Sequence, residues 1–154
     1  MKQISLHWGT SVPKNLIGNG YGYRTHNEDL RTAVEKIAIL DENAKDVLII
    51  TSPEFYQKIP GKRNWLFTMF EENTIPEKFQ KTISQADILI APTEWAATVL
   101  RAHFPQPVHV IPHGVNPDFT YVPRRLPIDK PIRFLWVGAP NPRKGWEEDR
   151  KSVV

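Results

Sequence analysis

Asp87-Ile88-Leu89-Ile90-Ala91-Pro92-Thr93-Glu94-Trp95 is the stretch on which the fold turns. Its apolar run is too short for a helix and reads as a buried strand. Pro92 halts it. Thr93 then has the hydroxyl of an N-cap for a helix whose Trp95, Val99 and Leu100 face inward. A strand that feeds a helix within three residues is half of a βαβ unit, and such units build parallel sheets.

The same grammar repeats outward. Ile4 to Trp8 reads as a short strand. Tyr23, Leu30, Ala33, Val34 and Ile37 recur at helical spacing, which predicts a helix over about 22–36. Val47 to Thr51 is a β-branched apolar run with Ser-Pro behind it, and residues 65–69 form another strand candidate. Thr74-Ile75-Pro76-Glu77 has the form of a capping box with an early proline, opening a helix whose Phe79, Ile83 and Ala86 share a face. Residues 108–111 close the series. Runs such as Val-Leu-Ile-Ile, apolar on both faces, suit strands covered by helices on each side. The aromatic residues Trp65, Phe67, Phe79, Trp95 and Phe104 fall on the apolar phases and are expected in the core.

Proline divides the chain. Fourteen of 154 residues are proline, and nine of these lie from Pro105 to Pro142. Residues 112–131 show no periodicity and read as a stiff, extended connector. Residues 132–137 are again a strand, followed by Gly138 and a proline-rich turn into Lys144-Gly145-Trp146. The 24 residues from Pro131 to Val154 are too few for a domain, since chains below about 40 residues rarely fold without staples. The expected organisation is an N-terminal domain over 1–112, a linker over 113–130 and the start of a truncated second domain over 131–154. On this reading the chain is an N-terminal fragment or a truncated product.

Composition removes several classes. Without cysteine there is no disulfide, iron–sulfur cluster, thiolate zinc site or cysteine nucleophile. The five histidines, at 7, 26, 103, 109 and 113, lack metal-ligand spacing, so no metal site is expected. No Gly-x-Ser-x-Gly or Walker pattern occurs. The N-terminus lacks the apolar stretch of a signal peptide, and no apolar run approaches the roughly 18 residues of a membrane span, so a cytoplasmic location is expected. Net charge is +3 with a pI near 9.2. The basic residues form only short pairs, which argues against a nucleic-acid partner. The charge suits a phosphate-bearing ligand and permits weak attraction to an anionic lipid surface.

Three segments together resemble the retaining nucleotide-sugar glycosyltransferases of the GT-B fold, family 4 or group 1. Ala86 to Trp95 is similar to the family's strand-to-helix turn late in the N-terminal domain. Val108-His109-Val110-Ile111-Pro112-His113-Gly114-Val115-Asn116, with Phe119, is similar to the segment that crosses between domains. Phe134 to Gly138, with Arg143-Lys144-Gly145, is similar to the first strand and loop of the donor domain. Residues 1–85 match more loosely, through Gly18-Asn19-Gly20-Tyr21-Gly22 and Thr68-Met69-Phe70-Glu71. The resemblance implies an α/β chain, with a Rossmann-like parallel sheet plus the first strand of a truncated second Rossmann-like domain.

By the same resemblance, the intact parent transfers a sugar from a nucleotide-diphosphate donor to a hydroxyl on a glycan, lipid or small-molecule acceptor, with retention, and the 154-residue chain alone is expected to be an incomplete, inactive fragment. No cofactor or obligatory metal is implied. The leaving diphosphate carries negative charge, and Lys144 matches the family lysine that contacts it. Gly145 permits close backbone approach, and Arg143 is a second candidate cation. Ala139 stands where many relatives carry an arginine. Gly20, Gly22, Glu71 and His113 are the acceptor-side or cleft candidates, and Phe70 stands where relatives often place a histidine, which leaves the catalytic residues unassigned. The family's acidic E-x7-E segment is expected past residue 154. These departures motivate an alternative, a non-catalytic binding or interaction module derived from a glycosyltransferase N-terminal domain.

Overall fold

The computed structural model describes residues 4–9, 21–70, 72–115 and 118–123. Six strands and three helices occur among them. The order is β1 (Ile4–Trp8), α1 (Tyr21–Val34), β2 (Ala38–Leu40), β3 (Asp46–Ile50), β4 (Arg63–Phe67), α2 (Glu77–Ile83), β5 (Ile88–Ala91), α3 (Glu94–His103) and β6 (Val108–Val110), with a short 3-10 turn at Pro53–Phe55 after β3. The strands form one sheet in the order β2-β1-β3-β4-β5-β6, and every neighbouring pair is parallel. The fold is therefore α/β, consistent with a Rossmann-like arrangement.

Alternation along the strands sorts the core into two faces. Val47, Ile49, Leu66 and Leu89 point to one side, where Ile83 and Ala86 of the α2 region and Ala97, Leu100 and Phe104 of the α3 region meet them. Ile50, Phe67 and Ile90 point to the other, where Tyr23 and Leu30 of α1 pack. Outside α1, this second face carries a polar-aromatic row. Trp65 stacks on His109 at 5.8 Å and donates its indole N–H to Asp46 at 2.8 Å, while Arg63 pairs with the same carboxylate.

Several sequence expectations need correction. The strand expected at 65–69 runs two residues earlier, over Arg63–Phe67. The Thr74 capping box does not form: α2 starts at Glu77, Pro76 is its N-cap, and no side chain caps it. Ile75 is instead buried in the core, and Gln80 donates to its carbonyl at 2.7 Å. Ala86 lies past the end of α2, though it is buried as expected. Trp95 is 49% exposed, because the small Ala96 and Ala97, with Val99 and Leu100, form the inward face of α3. Ile37 lies beyond α1 and is exposed.

Nor do strands and α-helices alternate throughout. Residues 41–45 alone carry the chain from β2 to β3 on opposite flanks of β1, and the β3–β4 connection holds only the 3-10 turn, in a segment punctuated by Pro53, Pro60 and a left-handed Gly61. The chain groups into two compact units, 1–114 and 115–154. The expected strand at 132–137 lies outside the described residues. No helix among the described residues is long and apolar enough to cross a membrane.

Candidate functional site

Parallel strands send their following loops to one edge of the sheet, the carboxyl edge, where ligands of open α/β sheets gather. Here three exits converge. After β4 the ladder continues one step, with Thr68 N–H donating to the Ile90 carbonyl at 3.1 Å, and the chain then presents Met69 and Phe70. After β5 come Pro92 and Thr93, whose hydroxyl accepts from Ala96 N–H at 3.1 Å and fixes the start of α3 with Trp95 and Ala96. After β6, Ile111 N–H donates to the Ala91 carbonyl at 2.9 Å, which delivers Pro112 and His113. These residues line an open cavity of about 550 Å³. Its described lining holds no Lys, Arg, Asp or Glu. Apart from Thr93, His113 and the indole N–H of Trp95, the side chains there are apolar.

Helix α1 braces this edge from the second face. The Tyr23 hydroxyl accepts from Met69 N–H at 3.0 Å and donates to the Met69 carbonyl at 3.2 Å. Burial raises the Tyr23 pKa, so the phenol keeps the proton it needs to donate. Trp8 anchors the same helix through its indole N–H on Asn27 at 2.7 Å. One turn from Tyr23, His26 lays its ring 4.1 Å from that of His113, tilted 42°, and 5.1 Å from Phe67 edge-on. Phe67 and His113 are 5.5 Å apart, so the three rings form one cluster. His26 Nδ1 is buried and lacks a hydrogen-bond partner among the described residues. Its pKa is lowered by burial first and by His113 second, with Asp29 opposing, and burial likewise lowers that of His113. Both shifts favour the neutral imidazole.

Of the residues singled out from sequence, His113 lies in the cavity wall. Gly22 is the second residue of α1 rather than part of a loop before it. Gly20, Glu71, Ala139, Arg143, Lys144 and Gly145 lie outside the described residues. Phe70 lines the cavity and meets Phe79 edge-on at 6.2 Å, which gives it a packing role beside any other. Sequence reading passed over His26, although a signal was present: it falls three residues after Tyr23 and four before Leu30, on the apolar stripe. Among the described residues no group of three His, Asp or Glu converges on a metal position. No protein-family model matches the chain, and no curated protein or solved structure does either.

Proposed function

We propose that this chain supplies the acceptor side of a glycosyltransferase that moves a sugar from a nucleotide-diphosphate donor to a hydroxyl, with retention. The observation that carries the reading is the cavity at the carboxyl edge of β4, β5 and β6, to whose wall two of the three segments that resemble the family, 86–95 and 108–116, contribute beside Met69 and Phe70. Its chemistry fits an acceptor better than a donor. A pyrophosphate is held best by cations, and the described lining has no charged side chain; the first-turn N–H groups of α3, of which Ala96 N–H is already taken by Thr93, are its one feature suited to an anion. Donor contact is assigned to Lys144, with Arg143 and Gly145, by resemblance. The neutral imidazole of His113 can accept a hydrogen bond from an acceptor hydroxyl as that oxygen gains nucleophilicity.

Two features favour a second reading, a binding module without turnover: no carboxylate lies in the described wall, and Phe70 occupies a position where relatives often carry histidine. The experiment that separates the two expresses the whole open reading frame containing these residues and screens nucleotide sugars for release of the nucleoside diphosphate. Release that depends on an added hydroxyl acceptor is the expected result. If every donor stays intact and none binds the 154-residue chain or its parent below about 1 mM by calorimetry, sugar transfer is excluded and the module reading stands.

A further inference from the structure

We propose that the cavity between the ends of β4, β5 and β6 binds a small, uncharged, mainly apolar molecule bearing a hydroxyl, by class an aromatic alcohol, with Trp95 as its aromatic wall and His113 as the partner of its hydroxyl. As an acceptor assignment this rests on the sugar-transfer reading; the binding itself does not.

Size is the first argument. At about 550 Å³ the cavity falls in the range of roughly 300–1,000 Å³ that holds single small molecules. The lining is the second. No charged side chain in the described lining meets an ionic occupant, and a carbohydrate would bring several hydroxyls to a wall whose polar side-chain groups are the Thr93 hydroxyl, the His113 ring and the Trp95 indole N–H. One of those, the Thr93 hydroxyl, already accepts from Ala96 N–H.

Trp95 supplies the third argument. It stands in the first turn of α3 beside buried Ala96 and Ala97, yet nearly half of it stays exposed at the cavity. Among the described residues the inward packing of α3 does not use it, so its indole face offers a flat surface of the kind against which an aromatic ring packs offset or edge-on. Met69 adds a polarisable thioether that adapts to the occupant, and Tyr23 fixes the backbone that carries it. The fourth argument is His113. Its ring packs against those of His26 and Phe67, which places a hydrogen-bond acceptor at the cavity wall for a hydroxyl to meet.

The test titrates the intact chain with naphthol by calorimetry. Binding is expected below about 100 µM, and Trp95→Ala should weaken it by about tenfold or more while Trp95→Phe restores most of it. The methyl ether of naphthol should bind several-fold more weakly than naphthol itself, and His113→Ala should erase that difference. In the unmodified chain, naphthol should shift the ring protons of His113 and His26, a readout independent of how any variant folds. No naphthol binding up to about 1 mM, unchanged affinity in Trp95→Ala, or preferential binding of maltotriose overturns the proposal. A hydroxyl preference that survives in His113→Ala overturns the role given to that ring. Donor turnover by the full reading frame without naphthol binding removes the apolar acceptor and keeps sugar transfer. Naphthol binding with no donor turned over does the reverse.

Discussion

Two imidazoles 4.1 Å apart under partial burial cannot both be cations without cost, and a pH-dependent stability is the expected consequence. The pKa values of His26 and His113 lie below the ordinary value of about 6.5. As pH falls through that value the unfolded chain takes up protons that the folded chain still refuses. Stability therefore rises with pH across the window below 6.5 and is lost as the pH drops through it. Urea midpoints are expected to be level above about pH 7 and to fall below about pH 6.5. His26→Gln should flatten that decline; an unchanged slope would mean that the pair is not its source. Two carboxylates act in a separate, lower window. Asp87 is held below the usual carboxylate range chiefly by the Asn64 N–H and Asp46 chiefly by Arg63, so their contributions persist until more acid conditions protonate them. A steric constraint operates at Gly9. A Cβ there would stand 2.5 Å from Ile49 Cγ1 and 3.2 Å from the Leu48 carbonyl, against a core side chain with little room to yield. Gly9→Ala is expected to destabilise by about 1–3 kcal/mol, read as a lower urea midpoint with an unchanged slope.

At the scale of elements, Asn64 at the start of β4 shows how a loop without a helix is held. Its buried side chain accepts from Ile59 N–H at 2.8 Å and donates to the carbonyls of Ile59 at 2.9 Å and Lys62 at 2.8 Å. Asn64→Ala removes all three bonds, with an expected loss of about 2–4 kcal/mol by chemical unfolding. A loss under about 0.5 kcal/mol would mean that the loop before β4 is fixed by something else. The element scale also explains what the sequence made legible. Helix α3 was readable because Thr93 acts on its own neighbours, and β3 and β5 because both their faces are apolar. Strand β2 was not, since Ala38-Ile39-Leu40 has no alternation of its own and becomes a strand by pairing with Ile4, Ser5 and Leu6, far away in sequence. The start of α2 was misplaced for a related reason: burial of Ile75 outweighed a local cap at Thr74. The cavity was the least legible feature, because its walls come from three segments that only the completed sheet assembles. Resemblance pointed to His113, but its partner His26 sits on a helix read only for its apolar stripe.

Across the whole sheet, protection from solvent is unequal, and the inequality sets how the molecule should open. Strands β3, β4 and β5 are paired on both sides, and their central residues Ile50, Leu66, Phe67, Leu89 and Ile90 are buried on one face or the other. The edge strands β2 and β6 have three residues each and a neighbour on one side only. Ile39 of β2 is among the exposed apolar residues, so little burial resists its departure. Strand β6 differs in that α3 packs over Val108 and Val110. Local openings cost free energy according to the contacts they break. Native-state hydrogen exchange should therefore release β2 amides first, those of β6 later, and those of β3, β4 and β5 last and together, near the global unfolding free energy. The cavity edge belongs to the last group at Thr68, whose N–H pairs inside the sheet with Ile90, and to the middle group at Ile111, whose N–H extends the pairing of β6 with Ala91. If naphthol occupies the cavity as proposed, saturating it should slow exchange at Ile111 more than at the β2 amides, because it contacts the loop after β6 and nothing near β2. Equal slowing at both would mean that the ligand acts through global stability rather than at this edge.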